Sequence, residues 1–239
     1  MGDHDFSARD QLNNHSQSVE DFLKAVYVLQ AQDAVKRGQA RVSTTALAEA
    51  LNILPPSVTD MARRMADAGL VDYKRYYGVR LTVQGESVAL KVIRRHRLIE
   101  TYLVERLGYA LHEVHDEAER LEHAVSDRFI EAIAWKLDNP MFDPHGDPIP
   151  TVDGEISTPD LVSLADLDVG MRGSVSRFIA DSDEMLQHII KRGFQLGVVV
   201  HVVEVDPFDG PITVQINGIQ SVIGHSVARS ILLERLSEV

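Results

Sequence analysis

Apolar positions first fall into a helical rhythm at Val19, Phe22, Leu23, Val26, Tyr27 and Leu29, after a polar start of about fifteen residues. Ser18 suits the N-cap of this helix, and Glu20 and Asp21 place carboxylates in its first turn. The run VSTTALAEALNILPPSVTDMARRMADAGLV then predicts two short helices joined by a tight turn at Asn52 to Pro55. The first is capped by Ser43 or Thr44. The second carries Pro56 in its first turn, where a missing N–H costs nothing, and ends at Gly69. Leu70–Tyr73 and Val79–Thr82 follow as two strands of a hairpin, so the first third reads as a winged helix-turn-helix.

Beyond Thr82 the pattern predicts two longer amphipathic helices. One runs from Val83 to about Leu107 and stops at Gly108. The other runs from Leu111 or Glu113 to Leu137, before the proline-rich loop NPMFDPHGDPIP. The last third changes character. GMRGSVSRFI, VVVHVVEV and ITVQI are short β-branched runs around one small helix, Asp183 to Lys191, which suggests a small barrel. The divisions that result are 1–90, a DNA-binding domain; 91–152, a helical domain; and 153–239, a β domain.

Composition narrows the chemistry. The 239 residues carry a net charge of −12, which excludes a general affinity for nucleic acid. Residues 61–80 nevertheless hold five basic and two acidic side chains, and Lys74 and Arg75 stand on the hairpin beside Tyr73, Tyr76 and Tyr77. Basic residues interleaved with aromatics there suit phosphate contact. Ser57, Thr59 and Asp60 in the N-terminal turn of the second short helix face base edges in this reading, Arg63 or Arg64 faces phosphates, and Pro56 belongs to the same DNA-binding set. The bland alternative is a packing motif with a capping carboxylate at Asp60.

There is no cysteine, so disulfides and thiolate metal sites are excluded. No basic-then-apolar leader opens the chain and no segment approaches the ~18 apolar residues of a membrane span. A cytoplasmic protein is expected.

The densest chemistry lies between His96 and His123, with four of the ten histidines and seven carboxylates. His96 and Glu100 are four apart, Glu119, Glu122 and His123 stand at i, i+3, i+4, and His115 precedes Glu119 by four. These intervals put side chains on one helical face. Imidazole and carboxylate without sulfur suit manganese, ferrous iron or zinc. The zinc-protease motif H-E-x-x-H is absent, and the single E-x-x-E-H falls short of the pair of E-x-x-H helices in a di-iron bundle. Three readings stay open on the residues alone: a metal-responsive regulator, a winged-helix regulator of an organic effector with a merely solvated His/Glu face, and a helical carboxylate metalloenzyme.

The motifs VHDEAERLEH (Val114 to His123), RHRLIE (Arg95 to Glu100), GDPIP (Gly146 to Pro150) and Glu20-Asp21 resemble the diphtheria-toxin-repressor family of metal-dependent transcriptional regulators, over nearly the whole chain and with the family's order of motifs. The resemblance implies a mainly α chain with an N-terminal winged helix-turn-helix, a helical dimerisation domain and a C-terminal SH3-like β-barrel, without enzymatic activity. It implies one metal site from Asp21, Glu119, Glu122 and His123. A second comes from His96, Glu100 and His115, completed from the C-terminal domain by Asp181 and Glu184, with Arg97 near an anion. Iron-responsive members carry Met and Cys where Asp21 and Glu119 stand. The oxygen donors here point to Mn2+, with Fe2+ as the alternative. Lys24 occupies a position where smaller manganese regulators place a second bridging carboxylate. The implied function is a metal-dependent repressor of metal-uptake genes. Its metal fixes the orientation of the DNA-binding domains in a homodimer on a palindromic double-stranded operator.

Overall fold

The structure, a computed structural model, describes residues 15–33, 41–180 and 182–236, so the polar start up to residue 14 lies outside the described residues. The chain divides at Arg94–Arg95 into two compact units, taken in turn.

In the first unit, α1 (Gln17–Asp33) buries Phe22, Leu23 and Val26 completely. Each such side chain contributes about 1.5–3 kcal/mol relative to exposure. Helix α2 (Thr44–Ala50) starts where the Ser43 hydroxyl accepts from the Ala46 amide at 3.0 Å. Asn52, with φ +50°, turns the chain into α3 (Pro55–Asp67), whose first two positions are Pro55 and Pro56. The hairpin pairs β1 (Val71–Lys74) with β2 (Gly78–Leu81), Lys74 opposite Gly78 and Val71 opposite Leu81. Val42 adds a third chain by exchanging two 2.8 Å backbone bonds with Val79. That close approach needs a glycine next door. Gly78 has φ +100°, and a Cβ there would lie 2.2 Å from the Val42 carbonyl oxygen. Thr82 then accepts from the Gly85 amide at 3.1 Å and opens α4 (Val83–Leu107). The expected winged helix is present.

In the second unit, Leu98, Ile99 and Leu103 of α4 pack on α5 (Val114–Leu121) and α6 (Asp127–Lys136). Here the expectation of one helix from about residue 111 to Leu137 is corrected: it is two. Glu122 is the C-cap of α5, and a turn leads to Ser126, whose hydroxyl accepts from the Phe129 amide at 3.3 Å and starts α6. A serine cap followed by Asp127 competes successfully with a continuous helix.

The proline-rich loop closes on itself, Phe142 pairing with Pro148, and leads to a six-stranded antiparallel sheet. The strands are β3 (Val162–Ser163), β4 (Arg172–Phe178), β5 (Val199–Val205), β6 (Ile212–Ile216), β7 (Ile219–Ile223) and β8 (Ile231–Arg235), in the order β3-β8-β4-β5-β6-β7. Helix α7 (Asp183–Lys191) and the short α8 (His225–Arg229) cover a core of Leu164, Ile189, Phe194, Val200, Val214 and Leu233. Strand β7 follows Asn217-Gly218, both at positive φ, the two-residue turn that the β-branched runs alone did not mark. Among the described residues no helix is long and apolar enough to cross a membrane.

Candidate metal centre

The histidines and carboxylates of α4 and α5 converge. His96 Nε2 lies 2.9 Å from Glu100 Oε1, one turn along the same helix, and 3.2 Å from His115 Nδ1 on α5. Its other nitrogen, Nδ1, lies 2.5 Å from Glu122 Oε2 and 3.8 Å from Glu119 Oε1. Glu122 Oε1 in turn faces His123 Nε2 at 3.3 Å. The six residues expected on α4 and α5 therefore form one contiguous cluster, with His96 touching both expected ligand sets. Asp21 lies half-buried on α1, in the other compact unit.

Two residues that the helical spacing did not reveal join them. His145, in the proline-rich loop, places Nδ1 3.7 Å from Glu100 Oε2, and Asp143 of the same loop is buried beside it. His145 Nε2 lies 3.2 Å from the Leu111 carbonyl oxygen, which can only accept. Nε2 therefore carries a proton, and Nδ1 is turned towards Glu100.

Two of the carboxylates are buried, and both have histidine neighbours. Glu100 and Glu122 are 2% and 0% exposed, and a buried carboxylate loses several kcal/mol of hydration. Burial pushes the Glu100 carboxyl up, but hydrogen bonds from His115, His145 and His96 outweigh it and hold the group well below the usual carboxylate range. Burial, with the charges of Asp147 and Glu100, lifts the Asp143 carboxyl to about 7. Burial lowers His145, and the Glu100 carboxylate more than reverses this.

The donor set fits a divalent ion. Candidate donor atoms of His96, His115 and Glu119 all lie within 4.8 Å of one another, as do those of Glu100, Asp143 and His145. Six-coordinate ligands about 2.2 Å from an ion stand about 3–4.5 Å apart.

Asp181 lies outside the described residues. Glu184 is exposed on the first turn of α7, where the backbone there and Ser182 lower its pKa. A cleft of about 310 Å³ beside His115 and Asp116 is lined from α7 by Asp183, not by Glu184. Arg97 meets carboxylates of the chain itself, Asp147 at 3.3 Å and Asp143 at 3.7 Å, and donates to the Pro148 carbonyl.

On the winged helix, Pro56, Ser57, Asp60, Arg63 and Arg64 are exposed on α3. Thr59 donates to the Pro55 carbonyl at 3.1 Å, and Asp60 pairs with Arg63 at 3.4 Å. Lys74 and Arg75 are exposed at the hairpin tip, the Arg75 guanidinium 4.9 Å from the ring centre of the exposed Tyr76. Arg80, by contrast, shares Asp72 with Arg41, whose hydrogen bond lowers the Asp72 pKa.

Comparison with known proteins agrees with both surfaces. Residues 14–79 match the family described as "Iron dependent repressor, N-terminal DNA binding domain". Residues 82–151 match "Iron dependent repressor, metal binding and dimerisation domain", and 162–235 match the FeoA domain. The chain is 31% identical to the iron-dependent repressor IdeR of Mycobacterium tuberculosis, over 94% of this chain and 100% of that one. It is 36% identical to the transcriptional regulator MntR of Lysinibacillus sphaericus, over 49% of this chain and 79% of that one. A solved manganese-dependent transcriptional repressor in complex with manganese aligns with a TM-score of 0.82 at 39% identity, covering 91% of this chain and 100% of that one. This chain belongs to the diphtheria-toxin-repressor family of metal-dependent, DNA-binding transcriptional repressors.

Proposed function

We propose that this repressor responds to manganese, with Fe2+ as a less favoured activator, and works as a cytoplasmic homodimer on a palindromic operator controlling metal uptake. The observation that carries the choice of ion is the chemistry of the clustered donors. Glu100, Glu119 and Glu122 offer oxygen, His96, His115, His123 and His145 offer nitrogen, and no sulfur is among them. Hard oxygen donors suit Mn2+, whereas thiolate or thioether donors favour ions further along the affinity series. Asp21 enters this reading through the family resemblance alone.

A bound divalent ion would add positive charge among the carboxylates of Glu100, Glu119 and Glu122. The residues do the rest. His96, His145, Glu100 and Asp143 would hold such an ion, with His145 oriented by its Nε2–H to the Leu111 carbonyl so that Nδ1 faces Glu100. Because a ligand that prefers one state draws the population to that state, metal binding in the helical domain raises the DNA affinity of the winged helix. Ser57 and Thr59 face base edges, and Arg63, Arg64, Lys74 and Arg75 contact phosphates. Twofold symmetry of the dimer matches a palindrome.

Calorimetric titration tests the assignment. Mn2+ should bind saturably and stabilise the fold by about 2.7 kcal/mol at a hundredfold excess over Kd. Under anaerobic conditions, Glu119→Cys should shift the preference from Mn2+ towards Fe2+. No heat and no melting shift with either ion would favour an organic effector instead. An unchanged preference in the cysteine variant would remove the argument from donor chemistry.

A further inference from the structure

The C-terminal domain grips the loop that presents His145, and it does so at three adjoining points of one strand. The Phe178 amide donates to the His145 carbonyl at 2.8 Å. Gly146 lies so close to β4 that a Cβ would stand 2.0 Å from the Ser176 carbonyl oxygen. Arg177 forms an ion pair with Asp147, the same carboxylate that Arg97 of α4 reaches at 3.3 Å. A β-bulge makes this possible. The pairing of β4 with β8 slips between Val175 and Arg177, so Ser176 is an extra residue, and such an insertion re-aims the side chain that follows it. Inside the loop, Asp143 Oδ1 accepts from the His145 amide at 2.8 Å and the Asp147 amide at 2.9 Å, which braces the turn from within.

We propose that the bulged strand β4 is a clamp for the metal cluster: Arg177, through Asp147, and the Phe178 amide hold the 143–147 turn so that His145 Nδ1 faces Glu100. The C-terminal domain then serves the cluster by positioning a ligand from another domain, in addition to any donor of its own. Arg177 and Asp147 are positioning residues. The inference rests on the proposed role of Glu100 and His145 as ligands, and α4 carries both Glu100 and Arg97, so clamp and cluster share one helix. Outer-shell groups of this kind typically change metal affinity by about 10–100-fold.

The test uses the full-length protein with Arg177→Met, Arg177→Lys, His145→Ala and the double variant, titrated with Mn2+ alone and followed without metal by hydrogen exchange at the Phe178 amide. Arg177→Met should weaken Mn2+ binding about tenfold and speed Phe178 exchange about tenfold, and Arg177→Lys should restore most of both. Combined with His145→Ala it should add almost nothing, because both act through one imidazole. Full additivity, or a lowered melting temperature with unchanged Mn2+ affinity in Arg177→Met, overturns the clamp. If His145→Ala itself leaves Mn2+ binding unchanged, the ligand assignment fails. The exchange rate then decides the clamp alone: faster exchange in Arg177→Met supports it, and an unchanged rate overturns it.

Discussion

Glu122→Gln should weaken Mn2+ binding at least about 100-fold, about 2.8 kcal/mol, while leaving the metal-free fold as stable as before or slightly more so. Glu122 is completely buried, 2.5 Å from His96 and 3.3 Å from His123. Glutamine keeps the volume and one acceptor oxygen, so no cavity opens. What disappears is the negative charge of a side chain that solvent does not reach. Burial of the carboxylate costs the metal-free protein hydration that pairing with His96 and His123 offsets, whereas a bound cation gains directly from the charge. The two effects therefore have opposite signs, which separates them from ordinary core damage. Calorimetric titration beside a urea unfolding curve measures both. A variant that binds Mn2+ within about threefold of the parent would remove Glu122 from the cluster's chemistry.

Gly78→Ala should destabilise the winged helix by about 3 kcal/mol or more, among the larger effects of a single methyl group. Two costs combine. The φ of +100° is a conformation that alanine adopts only under strain, and the new Cβ would stand 2.2 Å from the Val42 carbonyl oxygen. Relief requires parting Val42 from Val79, which breaks both backbone bonds between them. Specific DNA binding should fall with it, because Lys74 and Arg75 sit at the tip of that hairpin. Thermal unfolding followed by circular dichroism, together with duplex binding, measures the effect. A loss under about 1 kcal/mol would mean that the Val42–Val79 contact is dispensable.

How much of this was legible in the sequence depends on how each feature is encoded. The winged helix was, because Ser43, Pro55-Pro56 and Gly69 punctuate short helices whose apolar rhythm is regular. The histidine and carboxylate faces of α4 and α5 were, because i, i+4 spacing survives wherever a helix forms. The break at Glu122–Ser126 was not, since no glycine or proline marks it and only Ser126-Asp127 hints at a cap. Asp143 and His145 escaped for a different reason. They sit in an irregular loop, where spacing carries no geometric meaning, and tertiary contacts from Leu111, Arg97 and β4 aim them at Glu100. The joining of two expected ligand sets at His96 is likewise a product of packing α5 on α4. Strand β7 was recoverable from Asn217-Gly218 between β-branched residues.

The central claim is that a divalent ion at the cluster governs DNA binding by the winged helix. Fluorescence anisotropy of a labelled operator-length palindromic duplex, titrated with the full-length protein at fixed salt, measures this directly. With micromolar Mn2+ the duplex should bind at least about 100-fold more tightly than with chelator, a coupling of about 2.8 kcal/mol, and Glu122→Gln should show the chelator affinity under both conditions. Equal affinity of the parent protein with Mn2+ and with chelator would contradict the account.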